Sequence, residues 1–232
     1  VTPQEFGWLP FHTLRSSGSG ALINKYEINY LPSSAALLFH SKPDGAVHEV
    51  VGFGHPGKTT WDVEYELKDI RSFYDKAKMY FDTTAILGHL SGLSADVLHL
   101  AAEFSVDTNI PDSSVITVSD GVTPDGVAGI SLGRLLAVPT TQTLVFSNIT
   151  PEAGGLSRYA PMAFLANGTH TMIATMWQGE RKAKKYFGEV FYTNLLGGVS
   201  SGFAYHKAMT AMMKDEEFSK LYNWGLYYQF GR

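Results

Sequence analysis

Ala95-Asp96-Val97-Leu98-His99-Leu100-Ala101-Ala102-Glu103 consists of a charged leader, an apolar run interrupted only by His99, and a charged end. A short run of this kind, without polar/apolar alternation, predicts a strand buried on both faces, and such strands belong to parallel sheets flanked by helices. In open sheets of that type ligands bind beyond the carboxyl ends of the strands, which directs attention to Glu103-Phe104. A second run, Thr143-Leu144-Val145-Phe146-Ser147-Asn148-Ile149-Thr150, has the same character and leads into Pro151 and Gly154-Gly155. The two carboxyl ends are expected to face one crevice. His48 to Gly54, stopped by His55-Pro56-Gly57, and Thr171 to Trp177 supply two further strands, so the parallel sheet is expected to include segments near 48–54, 96–103, 143–149 and 171–177.

The helices follow from apolar spacing. From Trp61 to Tyr80 the positions Val63, Leu67, Ile70, Phe73, Tyr74, Ala77 and Tyr80 recur at helical intervals among Glu, Lys and Asp, which predicts an amphipathic helix lying on the sheet. Shorter helices are expected over Thr83–Leu90, at Ser131–Leu136 with Ser131 as cap, and over Arg158–Asn167. Two longer ones follow, Glu180–Leu196 and Ser201–Lys214, separated by Gly197-Gly198. Lys25 to Leu31 and Ser114 to Val118 read as strands, and the aromatic ending Tyr222 to Phe230 as a terminal edge strand.

Composition narrows the function classes. The 232 residues suit one large α/β domain, with 44% hydrophobic and 17% charged residues. The 18 basic and 22 acidic side chains leave a net charge of −4 with no long run of either sign, so a nucleic-acid partner has no support. No apolar run reaches the roughly 20 residues of a bilayer span and no signal peptide is visible, so no membrane partner is expected and the protein is read as intracellular and cytoplasmic. Gly52-x-Gly54 and Gly154-Gly155 lack the spacing of dinucleotide or phosphate loops, and no cofactor or metal is implied. There is no cysteine, which removes disulfides, thiolate metal ligands and thiol nucleophiles together.

Short segments spread over the chain share their order and spacing with a known family. Trp8-Leu9-Pro10-Phe11-His12-Thr13-Leu14, then YEINYLPS over 26–33, then Val50-Val51-Gly52 with Pro56, then the acidic helix start Glu64-Tyr65-Glu66 come first. MAFLANGTHTMIATMW over 162–177, Phe191-Tyr192 with Leu195-Leu196 and Gly198, and Tyr222-Asn223-Trp224-Gly225 complete the series. In these pieces the chain resembles the CHAT domain, a caspase-like domain. The resemblance implies a three-layer caspase-like α/β fold with a mainly parallel central sheet flanked by helices, in a single domain over 1–232. It also implies a first strand that this chain lacks and, upstream, the helical TPR-like region that often precedes this domain.

CHAT peptidases use a His and Cys dyad, the His closing the third strand in a motif like His-Leu-Ala-Thr-His-Gly and the Cys following the fourth in one like Leu-Ser-Ala-Cys-Glu-Thr. Carried onto this chain, the first motif reads His99-Leu100-Ala101-Ala102-Glu103-Phe104 and puts Glu103 at the dyad histidine. The second falls on Phe146-Ser147-Asn148-Ile149-Thr150-Pro151 and puts Ile149 at the dyad cysteine; neighbouring registers give Asn148, Thr150 or Pro151, none a thiol. A thiolate mechanism needs a thiol and a base beside it, and neither dyad residue is intact. The resemblance therefore implies a catalytically inactive domain serving as a protein-interaction or regulatory module with a protein or peptide partner.

The candidate crevice comprises His99, Glu103, Phe104, Ser147, Asn148, Ile149, Thr150 and Trp177. Within it, His99 is expected to be a hydrogen-bonded core histidine, and Glu103 with Asp107 a solvated turn in preference to a cation site. Two other readings stand beside the inactive module. One is a hydrolase of changed chemistry with Ser147 or Thr150 as nucleophile and a histidine such as His170 as base; the other is a small-molecule site at the strand ends.

Overall fold

The computed structural model describes residues 9–15, 18, 20–35, 47–55, 63–85, 88–89, 95–105, 107, 109–122, 127–135, 143–146 and 159–231. Its strands are β1 (Val50–His55), β2 (Lys78–Phe81), β3 (Val97–Ala102), β4 (Phe104–Ser105), β5 (Val115–Ser119), β6 (Val127–Ser131), β7 (Thr143–Phe146), β8 (Thr171–Thr175) and β9 (Tyr227–Gly231). Its α-helices are α1 (Val63–Phe73), α2 (Leu132–Leu135), α3 (Tyr159–Ala166), α4 (Arg181–Leu196), α5 (Ser201–Lys214) and α6 (Leu221–Trp224).

The chain is a mixed α/β protein. Six strands form one sheet in the order β2-β1-β3-β7-β8-β9, and β4, β5 and β6 form a second, antiparallel one. Within the larger sheet every pairing is parallel except that of β9 with β8. The chain moves from β1 outward to β2 and then back across to β3, so β1 and β3 flank the point where the winding reverses.

Consecutive residues of the central strands enter opposite cores, which is why those strands show no polar alternation. Val50, Val97, Ala101, Ile173 and Tyr227 pack against the apolar faces of α1, α4 and α5. Val51, Phe53, Leu98, Leu100, Ala102, Met172 and Ala174 pack on the other side, with Phe164 and Leu165 of α3 and with Phe104, Ile116, Val118 and Ile130 of the small sheet. Helix α1 lies close over β1 because Gly52 and Gly54 leave room for it. A Cβ at Gly54 would come within 2.4 Å of Val63 Cγ1, and one at Gly52 within 2.8 Å of Leu67 Cδ2.

The central strands fall where the apolar runs place them. Thr143–Phe146 is the described part of the 143–149 run, and residues 147–150 lie outside the described residues. Helices α4 and α5 match their expected spans, with Ser200 Oγ accepting from Phe203 N as the cap of α5. Ser131 Oγ likewise accepts from Arg134 N at the start of α2.

Several expectations are corrected. The helix read over 61–80 ends at Phe73, and Lys78–Phe81 pairs with β1 as an edge strand. Met79 and Phe81 pack with the helix-side core and Tyr80 with the opposite one, a period-two pattern that imitates helical spacing over so short a length. Lys25–Leu31 makes only an isolated bridge, Tyr30 to Phe230. The ending divides into α6 and β9, and β6 is a strand that the sequence reading did not mark. Of Thr83–Leu90, Asp82–Thr84 forms a 3₁₀ turn, while 86–87 and 90 lie outside the described residues.

Candidate functional site

β1, β3, β7 and β8 run parallel, so their carboxyl ends share one rim of the sheet. β3 and β7 are direct neighbours, Leu100 opposite Phe146, and Glu103 follows the carboxyl end of β3. The site residues Ser147, Asn148, Ile149 and Thr150 lie outside the described residues.

Glu103 is the single residue between β3 of the large sheet and β4 of the small one. It is half-buried, and its backbone carbonyl accepts from Thr117 N at 2.9 Å, tying the joint to β5. The next residue, Phe104, is 1% exposed and sits among Ile116, Val118 and Ile130. Phe104 thus fills core under the rim, where it can anchor the small sheet and offers no surface to a ligand. Asp107 Oδ1 accepts from the amides of Asn109 and Ile110 at 2.8 and 2.9 Å, which makes its carboxylate the cap of a turn.

On the rim beyond β8, Trp177 is half-buried and its Nε1 donates to the Tyr222 carbonyl at 3.0 Å. Tyr222 is 52% exposed and returns a bond from its hydroxyl to the Gln178 carbonyl at 2.5 Å. The rim therefore presents a braced aromatic pair some strands away from Glu103. His170 lies at the other end of the sheet: it precedes β8, whose first residue pairs with Thr143 at the amino end of β7, while Phe146 leads on to Ser147. A His170 base would have to act across the length of β7.

His99 is drawn into the interior. It is 5% exposed, its Nε2 lies 2.8 Å from Glu66 Oε1, and its Nδ1 lies 2.9 Å from the Tyr192 hydroxyl. Lys184 Nζ donates to the other Glu66 oxygen at 2.8 Å. Four side chains from α1, β3 and α4 thus close one network, with Glu66 and Lys184 only 16% and 12% exposed. Burial alone would raise the Glu66 carboxyl, but the Lys184 ammonium and the His99 ring outweigh it and hold the group well below the usual carboxylate range. Burial, helped by the Glu66 charge, pushes the Tyr192 phenol above its ordinary value.

Sequence reasoning missed Glu66, Lys184 and Tyr192, although a signal for Glu66 exists. It falls three residues after Val63 and four before Ile70, on the stripe that α1 buries, where a carboxylate needs a partner. His55 was read only as a strand stop. It is 1% exposed at the last position of β1, opposite Ala102 and next to the winding reversal, where α/β sheets place their ligands.

Parallel strands with α1, α4 and α5 on one face and α3 with the small antiparallel sheet on the other make a mixed α/β domain. The family model of the CHAT domain matches residues 2–232, and the chain belongs to that family. No curated protein matches the chain. Among the described residues no helix is long and apolar enough to cross a membrane.

Proposed function

We propose that this CHAT domain is catalytically inactive and serves as a protein-interaction or regulatory module, on a three-layer caspase-like framework. The observation that carries the reading is the absence of any cysteine from the chain together with Glu103 at the position that matches the family's dyad histidine. A carboxylate there disfavours an adjacent anionic nucleophile, and Ile149 has no nucleophilic group at all.

The surroundings of Glu103 support the same reading. The joint between the two sheets is pinned by the Thr117 amide, and Phe104 is committed to the core. A histidine that could have served as a base, His99, has both ring nitrogens engaged by Glu66 and Tyr192. The aromatic pair Trp177 and Tyr222 offers the kind of side chain that interfaces favour, on the same rim. A protein or peptide partner is the occupant that suits it.

The test is a panel of serine-hydrolase activity probes and a peptide-library digest run on the 232-residue chain. Both are expected to be silent. Covalent labelling that disappears in Ser147→Ala, or cleavage at a defined peptide bond, overturns the proposal in favour of a hydrolase of changed chemistry.

A further inference from the structure

The described residues of 9–15 and 20–31 form a strap over the carboxy-terminal part of the fold. Ala21 and Ile23 are 1% and 0% exposed, and His206 Nε2 of α5 lies 2.7 Å from the Ile23 carbonyl. At its end the strap closes the outer edge of β9: Tyr30 N donates to the Gln229 carbonyl at 2.7 Å, and Gly231 N to the Tyr30 carbonyl at 3.1 Å. Near its start stands His12, fully buried, in a wall of rings made by Tyr30, Trp224 and Tyr228.

The contacts of His12 suit the neutral ring. Nε2 lies 3.1 Å from the Gly225 carbonyl, which can only accept, so Nε2 carries the proton. Nδ1 lies 2.7 Å from the Tyr30 hydroxyl, which also receives the His12 amide at 3.1 Å. The hydroxyl accepts from the amide and commits its one proton to Nδ1. A second ring proton on Nδ1 would face the hydroxyl proton and force it to turn away, inside an aromatic enclosure that does not solvate charge.

We propose that His12 is an acid-sensitive latch: as a neutral imidazole it fastens the strap across α6 and β9, and on taking up a second proton it releases the strap while the central sheet stays folded. Burial pulls the imidazole down to about 4, against a weaker opposing pull from the Gly225 carbonyl. Among the described residues the titratable groups facing the ring are the Tyr30 and Tyr228 phenols, both pushed above their ordinary values by burial, so they stay neutral across the acid range. Once the strap opens, His12 regains the ordinary value of 6.5. The open state then binds one proton more than the closed one between pH 6.5 and about 4, and opening becomes about tenfold easier for each unit of pH lost in that window.

Amide hydrogen exchange, corrected for the intrinsic pH dependence of exchange, reads this directly on the 232-residue chain. The amides of Tyr30 and Gly231 should lose protection about tenfold per pH unit below 6.5, about 300-fold in all by pH 4, while those of Phe187 to Leu195 in α4 keep theirs. His12→Gln, which can keep a donor for Gly225 but cannot titrate, should make the strap amides flat with pH, and His206→Gln should leave the slope in place. A flat profile in the parent chain, an unchanged slope in His12→Gln, a slope lost in His206→Gln, or equal loss in α4 overturns the latch. If His12→Gln does not fold, His12→Phe replaces it: a ring that cannot titrate should leave the strap amides flat with pH, and a slope that survives overturns the proposal.

Discussion

At His99 and at His12 the fold grips an imidazole by the same two points. In each, Nδ1 meets a tyrosine hydroxyl, Tyr192 or Tyr30, and Nε2 meets an oxygen. The difference lies in that oxygen. At His99 it belongs to Glu66, a carboxylate already balanced by Lys184; at His12 it is the neutral Gly225 carbonyl. One network can hold charge inside the protein, joining α1, β3 and α4 under the sheet. The other can hold only a neutral ring, which makes the strap's attachment depend on acid. The same residue thus serves as part of a charged brace in the middle of the chain and as a latch near its start.

The comparison can be broken first at Glu66. Glu66→Ala leaves Lys184 and His99 buried without their carboxylate, and removing one partner from such a pair typically costs about 3–5 kcal/mol. Urea unfolding at neutral pH measures it, and Glu66→Gln should lose less. The sign with pH follows from the depressed carboxyl: its contribution is present above the ordinary value of 4.5 and is lost as pH falls below it. The acid limb of the stability curve should therefore flatten in Glu66→Gln, separately from the higher window in which His12 acts.

A smaller effect is expected at the hydroxyl end. Tyr192→Phe keeps the ring and takes away the partner of His99 Nδ1, leaving one buried nitrogen unsatisfied at a cost of about 1–3 kcal/mol. Combining it with Glu66→Gln in a double-mutant cycle should give less than the sum, because both act through one imidazole. The smallest effect belongs to Lys182, on the same helix turn as Lys184. Its bond to Glu217 joins side chains 79% and 58% exposed, and Lys182→Ala should change stability by under about 0.5 kcal/mol in the same urea assay.

What could be read from the amino acids alone was set by local pattern. Apolar runs without alternation located β1, β3, β7 and β8; β1, β3 and β8 are buried on both faces, and such a strand has no polar side to show. Apolar spacing and the Gly197-Gly198 break located α4 and α5 to within a residue. The missing cysteine is a fact of inventory, independent of any fold, and the position of Glu103 followed from motif order.

Tertiary structure decided the rest, since it depends on which segments meet. Trp61 to Tyr80 reads as one helical stripe, and only pairing with β1 makes Lys78–Phe81 a strand. Glu66, His99, Lys184 and Tyr192 are up to 126 positions apart in number, and nothing local marks them as neighbours until α1 and α4 pack on the same face of β3. Gly225 lies 213 residues from His12, so the neutrality of that ring is written in no single stretch of sequence. Chemical identity fixes what each side chain is able to do. Burial and partners, which arise only when distant segments are brought together, determine which of those things it does.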